Sequence, residues 1–474
     1  MNLETGKLDP GEARCPAIST QDIIAKDRVA APGWVRSESY SYQGSEDIST
    51  DRYIDEAFYK AEFERLWTRT WQFACREEHI PEVGDYYVYD IGSYSFIVTR
   101  VAEDDIRAYY NACLHRGTKL RASNSYGGTS EFKCQFHGWS WNLDGTNKEM
   151  LCPWDFPHAD PAKFRLPEAR VERLGGFVWI NMDPDAPTLA EYLGAEALAH
   201  IKAWKLEDRY LVSHVVKSYP ANWKLTIEAF MEAYHVPQTH PQVCPANADL
   251  NSQYDVYSDH VDRFIAPQGV ISPFHAGKFT EQQLLDQCTM GDSSVVDPNK
   301  PQVPEGGTAR QVMADMYRTM FEQATNTDLS GVSDSEIIDC FSYTIFPSTF
   351  LFPGISLPMA YRFRPISQRE TQFEIFFLRP VPKDGVRPEP AEPEYLTREQ
   401  SFTESKSMDP GFGRIMDQDT DNLFMQQEGL EASAKRGLTL GNYQEIRVRN
   451  FERAVDKYMA MEPPKRDWHQ LQRK

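Results

Sequence analysis

No run of about 18 apolar residues occurs anywhere in the 474-residue chain, which excludes a membrane-spanning helix. Positive charge is scarce. Fifty Lys and Arg stand against seventy Asp and Glu, a net charge of −20 that repels a phosphate backbone and excludes a broad nucleic-acid-binding surface. The stretch from Met1 to Thr20 carries Glu4, Asp9 and Glu12 and lacks the basic-then-apolar order of a secretion signal, so a cytoplasmic protein is expected. Cysteine is sparse, with 8 in the chain, too few at this length for a disulfide scaffold. No Gly-x-Gly-x-x-Gly segment follows a strand-like run, so neither FAD nor NAD is expected to bind. There is no internal repeat and no low-complexity tract.

What is present is an ordinary globular composition, 41% hydrophobic and 12% aromatic, which excludes disorder. At roughly 150 residues per domain, the length suggests two or three domains. The first forty or so residues, broken by Pro10, Pro16 and Pro32-Gly33, read as an arm, followed by an amphipathic helix over 54–71. Residues 75–183 are rich in short β-branched and aromatic runs at 85–90, 95–99, 106–110, 131–136, 139–143 and 176–181, with a hairpin signal at Asp144-Gly145. They predict a small antiparallel β domain that ends near Pro184 and Pro187. The remainder predicts helices at 188–205, 222–236, 308–324, 396–408, 416–434 and 444–461. Strands are predicted at 211–219, 341–352, 358–364 and 372–379, and loops at 286–307 and 382–394. Helices packed on an antiparallel sheet is an α+β fold. The boundaries are thus 1–74 for arm and helix, 75–184 for the β domain and 185–474 for the larger domain.

Two clusters of residues carry chemistry. The β domain holds Cys113-Leu-His115-Arg-Gly117 and Cys134-Gln-Phe-His137-Gly-Trp139. Each half offers one thiolate and one imidazole. Together they suit either one tetrahedral zinc or a two-iron cluster whose histidines cap one iron and cysteines the other. Further on, Glu232-Ala-Tyr-His235-Val-Pro237-Gln-Thr-His240 lies in a largely apolar helical stretch, where a buried Glu and His need partners or a metal. Glu232 and His235, three residues apart, share a helix face. His235 and His240 would diverge on a regular helix, but Pro237 is expected to end it near Val236 and turn His240 back. Two imidazoles and a carboxylate leave positions open on Fe(II) for substrate and O₂.

The pair of motifs resembles the Rieske non-haem iron oxygenases, specifically the α (terminal oxygenase) subunit of the ring-hydroxylating family, over roughly residues 50–460. The second loop is not the Cys-Pro-Cys-His form of the respiratory Rieske proteins, and Thr118 stands where those carry an extra cysteine. The resemblance implies a Rieske [2Fe–2S] cluster on Cys113, His115, Cys134 and His137, within a small antiparallel β domain. It also implies a mononuclear Fe(II) on His235, His240 and a downstream acid, within a larger helix-grip (START-like) catalytic domain. Asp419 matches the family pattern best, with Asp417 and Asp421 as rivals on an acidic helix N-terminus. Glu232, where ring-hydroxylating members typically carry Asp, is implied to bridge His235 to the cluster ligand of a neighbouring subunit in a head-to-tail homotrimer, with or without a β subunit. Ala229 stands where Glu-Asn-Phe is common in the family (here Glu228-Ala229-Phe230).

The implied activity is hydroxylation of an organic substrate, aromatic or hydrophobic, with O₂ and electrons from NAD(P)H through a separate flavoprotein reductase or ferredoxin. Dihydroxylation, mono-oxygenation and oxidative demethylation of amines all fit the same ligands. An electron carrier or a zinc-stabilised binding module would leave His235, His240 and Asp419 without a role. Arg116, Lys119, Arg121 and Lys133 surround the first motif in an otherwise acidic chain and are expected to dock an acidic electron donor. Tyr234, Phe341, Phe346, Phe350 and Phe376 are expected to line an apolar substrate cavity.

Overall fold

The computed structural model describes residues 8–288, 300–464 and 471. Its β region is a seven-stranded antiparallel sheet in the spatial order Gln72–Arg76, Phe177–Asn181, Glu168–Leu174, Asp105–Tyr110, Tyr94–Ala102, Asp85–Ile91, Tyr126–Gly128. A three-stranded sheet of Phe132–Lys133, Ser140–Trp141 and Asn147–Glu149 completes it. The strands at 85–91, 94–102 and 105–110 follow the aromatic, β-branched runs of the sequence. Glu168–Leu174 was not expected, because its E-A-R-V-E-R-L alternation carries charge on most of its outward positions. It is secured by pairing with Phe177–Asn181 through the Gly175-Gly176 turn, where both glycines adopt positive φ.

The larger region is an eight-stranded sheet in the order Gln253–Val256, Val261–Ala266, Cys340–Ile345, Thr349–Phe352, Met359–Ser367, Glu370–Pro380, Arg209–Tyr219, Pro393–Leu396. All neighbours are antiparallel except the last pair. The helices Pro410–Ala432 and Ile446–Met459 pack with this sheet, the α+β helix-grip arrangement the sequence implied. Core residues of both regions, among them Leu66, Phe96, Val98, Trp223, Phe350 and Phe451, form one continuous cluster. Arg362, fully buried on the large sheet, donates hydrogen bonds to the Phe73 and Ala74 carbonyls of the small one. Among the described residues no helix is long and apolar enough to cross a membrane.

Several expectations are corrected. The helix foreseen at 54–71 is Glu56–Arg65, preceded by Asp51–Ile54. The helix at 188–205 is split at Gly194, whose φ is +82°, into Leu189–Leu193 and Ala195–Ala203. Residues 396–408 hold only the short 3-10 turn Phe402–Glu404, because Ser401, Ser405 and Ser407 bond locally and to Asp417 and Glu394 instead of continuing a helix. The strand at 341–352 is a hairpin of two strands. Gln253–Val256 and Val261–Ala266 went unforeseen, since Asp255, Asp262 and Arg263 look like surface residues. They are buried and paired, Arg263 with Asp255 and Asp262 with Arg447. Within the loop expected at 286–307, the helix Glu281–Cys288 reaches into its start, and residues 289–299 lie outside the described residues. The arm is fastened to the large domain, Arg28 bonding Asp334 and Asp27 bonding Arg310.

Candidate functional site

The loops of the first motif are built alike. The Cys113 N–H donates to the Thr118 carbonyl at 2.8 Å and the Gly117 N–H to the Cys113 carbonyl at 2.9 Å. The Cys134 N–H donates to the Trp139 carbonyl at 2.8 Å and the Gly138 N–H to the Cys134 carbonyl at 3.1 Å. Gly117 and Gly138 hold φ of +80° and +73°, a conformation that favours glycine and lets each loop fold back on its cysteine. The two tips meet. The His115 and His137 rings lie 4.6 Å apart, and His115 stacks on Trp139 at 4.9 Å. Both cysteines are buried and neither is in a disulfide. Burial pushes the Cys113 thiol up; at Cys134 burial also raises it, but the Phe136 and His137 N–H groups together with the Cys113 and Thr118 side chains hold the thiol below the usual value.

This donor set fits a two-iron cluster better than one zinc. Bonds of ~2.0–2.3 Å to a tetrahedral zinc would draw all four donor atoms within about 4 Å of one another. No three of these four come within 4.8 Å mutually among the described residues. The buried Nδ1 of His115 has no hydrogen-bond partner, the state expected of a ring nitrogen that faces a metal. Around the loops, Arg121 is turned inward against the Leu120 and Glu131 carbonyls and the rings of Tyr86 and Phe132, and Lys119 bonds Asp90 and Ser123. Arg116 and Lys133 are exposed, Arg116 lying 5.7 Å over the ring of Phe136.

The second motif departs from the expected continuous helix. Asn222 caps Trp223–Glu228, its Oδ1 accepting from the Lys224 N–H at 3.1 Å, and regular helix stops at Glu228. The backbone thus released is caught from outside. The Ala233 N–H donates to the Tyr254 hydroxyl oxygen at 3.0 Å, and Arg447 donates to the Met231 carbonyl at 3.4 Å. Pro237 does not end a helix. It sits in the first turn of the short helix Val236–Thr239, where its missing N–H is no loss. His235 precedes that turn and His240 follows it, so the two rings converge to 5.2 Å.

Asp419 completes the group. It lies on the long helix Pro410–Ala432, which Asp409 caps by accepting from the Phe412 N–H at 3.0 Å. The helix starts earlier than expected, so Asp417, Asp419 and Asp421 are all interior to it and the helix dipole does not account for them. Asp417 points the other way and accepts from the Phe402 N–H at 2.8 Å, while Asp421 is exposed. Asp419 is 7% exposed and its Oδ1 is 2.7 Å from His240 Nε2 and 3.4 Å from His235 Nε2. Among the described residues, His235, His240 and Asp419 are the one trio of His, Cys, Asp or Glu whose donor atoms all lie within 4.8 Å.

The far side of each imidazole is also held. His235 Nδ1 donates to Glu232 Oε1 at 2.7 Å, and the His235 N–H to Glu232 Oε2 at 3.0 Å. His240 Nδ1 donates to Gln418 Oε1 at 3.0 Å, which Gln242 also reaches at 2.6 Å. Both Nε2 atoms are thereby presented to the same point beside Asp419, the arrangement an iron with two imidazoles and one carboxylate requires. Burial lowers the pKa of His235, but the Glu232 and Asp419 carboxylates overcome it and hold the imidazolium up to about 10. Asp419, despite burial, is held below its ordinary value by the two histidines. Gln418 was missed by sequence reasoning. Its position beside Asp419 was the one available signal.

The trio opens on a cavity of about 330 Å³. Its wall includes Phe230, Phe264, Met313, Phe352, Tyr361 and Phe412. None of the five aromatics expected there lines it. Phe341, Phe346, Phe350 and Phe376 are core residues of the sheet, and Tyr234 is 59% exposed because the broken helix turns it outward.

Comparison with known proteins places these features in a family. The model of the Rieske [2Fe-2S] domain matches residues 70–156, and that of the ring hydroxylating alpha subunit (catalytic domain) matches residues 195–461. The carnitine monooxygenase oxygenase subunit of Escherichia coli (strain K12) is 28% identical over 216 residues, 44% of this chain and 57% of that protein. Choline monooxygenase of Beta vulgaris is 29% identical over 51% of this chain and 55% of its own. The biphenyl 2,3-dioxygenase subunit alpha of Rhodococcus jostii (strain RHA1) is 30% identical over 40% of this chain and 42% of its own. The chain spans about half the length of the curated relatives it matches. In fold, it superposes on a quaternary ammonium Rieske monooxygenase in complex with L-carnitine with a TM-score of 0.60 at 17% identity, covering 87% of this chain and 95% of that one. Naphthalene 1,2-dioxygenase with indole bound gives a TM-score of 0.59 at 20% identity, covering 91% and 95%. With a Rieske [2Fe–2S] domain ahead of a mononuclear-iron catalytic domain, the chain belongs to the ring-hydroxylating oxygenase α-subunit family.

Proposed function

We propose that this chain is the terminal oxygenase of a multicomponent Rieske system. It hydroxylates an uncharged hydrophobic organic substrate with O₂ and electrons from NAD(P)H, delivered by a separate flavoprotein reductase, directly or through a ferredoxin. The observation that carries this reading is the trio His235, His240 and Asp419 opening on an apolar cavity, in one chain with the paired Cys-His loops. Reduction of O₂ takes four electrons; a hydroxylated substrate supplies two, and the other two must come from outside. When bound, the cluster supplies those electrons singly and the ferrous centre is where O₂ meets them.

The chain's own residues have the following roles in this proposal. Cys113, His115, Cys134 and His137 hold the cluster, and His235, His240 and Asp419 hold the iron. Glu232 orients His235 through Nδ1 and, in a head-to-tail homotrimer, reaches the partner subunit's His137, so that electrons cross between subunits. Arg116 and Lys133 face the electron donor. The phenyl and thioether wall holds the substrate and excludes water. The divisions 1–74, 75–184 and 185–474 are the working domain boundaries.

A second reading, oxidation of a quaternary amine as in the relatives named for carnitine and choline, has the aromatic faces in its favour. Against a zwitterion such as carnitine, the cavity wall offers no Lys or Arg to a carboxylate among the described residues. The deciding measurements are metal content and products. Purified protein is expected to be brown, with three irons and two sulfides per chain, and to oxygenate neutral aromatic compounds when given a surrogate reductase. Two irons per chain, or turnover of carnitine and choline alone, would overturn the proposal.

A further inference from the structure

Apart from the iron trio and Glu232, the cavity is lined by the polar residues Asn247, Gln268, Gln287, Tyr317, Ser356 and Tyr361, and among the described residues only Asn247 and Gln268 of these hydrogen-bond each other. They belong to two chain segments joined by an isolated β-bridge, with the Ala248 N–H on the Pro267 carbonyl at 3.0 Å and the Gly269 N–H on the Ala246 carbonyl at 2.9 Å. The bridge sets their side-chain amides side by side, and Gln268 Nε2 donates to Asn247 Oδ1 at 3.1 Å and to the Ala266 carbonyl at 3.3 Å. The backbone of Gln268 is clamped on both sides. Its N–H donates to Asp339 Oδ1 at 2.9 Å and its carbonyl accepts from Arg310 at 3.1 Å. Arg310 and Asp339 are themselves a buried ion pair, further tied to Asp27 of the N-terminal arm.

An amide carries two N–H donors and one carbonyl acceptor with two lone pairs. Gln268 has spent both donors, and Asn247 has spent acceptor capacity. What remains without a hydrogen bond among the described residues is the carbonyl oxygen of Gln268 and the NH₂ of Asn247, on two residues that line the cavity. Exchanging oxygen and nitrogen at both side chains would still leave one acceptor and one donor, and the contact with the Ala266 carbonyl fixes which is which. A polar pair at the wall of a largely apolar cavity costs affinity for any ligand that leaves it unpaired. The same pair rewards a ligand that offers a donor and an acceptor together.

We propose that Asn247 and Gln268 are specificity-determining residues that read one uncharged donor–acceptor group, of the carboxamide or urea type, on an otherwise apolar substrate skeleton. This rests on the cavity being the substrate site. A carboxylate does not satisfy the pair. It has no donor for Gln268, and no Lys or Arg lines the cavity among the described residues. Residues 289–299, which follow the wall residue Cys288, contain no basic residue either. A bare hydrocarbon fits the wall but leaves both polar atoms dry.

The test is equilibrium binding, by calorimetry, to the oxidised metal-loaded protein without reductant, so that no turnover enters. The probes are naphthalene, 2-naphthamide and 2-naphthoate, with the wild type and the variants Asn247→Leu and Gln268→Met. One neutral hydrogen bond corresponds to about five-fold in affinity. The Kd of 2-naphthamide is expected to rise about five-fold in either variant while that of naphthalene does not rise, and 2-naphthoate is expected to bind weakest to the wild type. Unchanged melting temperatures show that the variants are folded, and either variant suffices. If the amide's Kd is unchanged in both, the amide pair is not a reader and the proposal falls while the cavity assignment stands. If no probe binds the wild type, the cavity assignment falls with it.

Discussion

Asp419 Oδ1 lies 2.7 Å from His240 Nε2, although the two residues stand 179 positions apart in the chain. The contact exists because the helix Pro410–Ala432 crosses behind the broken segment 229–240 and turns one of its three closely spaced aspartates toward the histidines. Replacing Asp419 with Ala is therefore expected to remove the mononuclear iron and leave the cluster intact. Iron analysis should fall from three to two per chain with the cluster's absorption unchanged. Asp421→Ala should keep all three irons. Asp417→Ala should also keep them, but lose about 1 kcal/mol of stability with the bonds to Ser401 and Phe402.

Gln418 holds His240 Nδ1 as Glu232 holds His235 Nδ1. Partners of this kind fix the ring and the tautomer of a ligating histidine, and their loss typically weakens metal binding by about 10–100-fold. Gln418→Leu should weaken iron affinity by that order, measured by competition with a chelator, without touching the cluster. Glu232→Gln, in which an amide still reaches the ring, should retain both metals and lose turnover.

Lys224 and Glu62 are both fully buried and 2.6 Å apart, and Glu62 also accepts from Trp223 Nε1 at 3.0 Å. This pair joins the helix Glu56–Arg65 to the helix that precedes Glu232. Lys224→Met removes one partner and leaves a carboxylate buried without its counter-charge, which costs about 3–5 kcal/mol. A drop of that size should appear in chemical denaturation, and Glu62→Gln in the same background should recover part of it.

His200 is buried among Trp34, Tyr257 and Tyr343, and its Nδ1 has no hydrogen-bond partner. Burial, aided by the positive charge of Arg263, lowers its pKa from 6.5 to about 4. Between those values the unfolded chain binds the proton and the folded chain does not, so stability rises with pH across that window and falls on acidification. The full effect is at most ~3 kcal/mol. His200→Phe should flatten the decline in melting temperature between pH 6.5 and pH 4; an unaltered slope would assign the acid sensitivity to other groups.

The paired Cys-His loops and the pair His235 and His240, which the fold brings together, were legible because such residue types stand at short spacing. The loops Cys113–Gly117 and Cys134–Gly138 carry cysteine, histidine and glycine at positions no ordinary turn requires. The strands at 85–110 were equally readable, being alternating and β-branched. The strands at 253–266 were not, since Asp255 and Arg263 are buried against each other across the pair and Asp262 is met by Arg447 from a helix near the C-terminus. The substrate wall was misjudged for a related reason. Phe350 and Phe352 share one strand face and stack at 6.0 Å, yet of the two only Phe352 lines the cavity, so position along the strand and not the alternation of faces decides which aromatic reaches it.

Local character was thus written in the order of the residues, namely the two Cys-His loops, the pairing of His235 with His240, the α+β pattern, and the net acidity. Position across long separations was settled by packing. The choice of Asp419 over Asp417, the arrest of the helix at Glu228, the recruitment of Gln418, and the meeting of Asn247 with Gln268 all depend on elements far apart in the chain. Each of these is decided by which neighbouring group is near enough to satisfy a buried backbone or polar atom, and that neighbour is specified only once the sheet and its helices have closed around it.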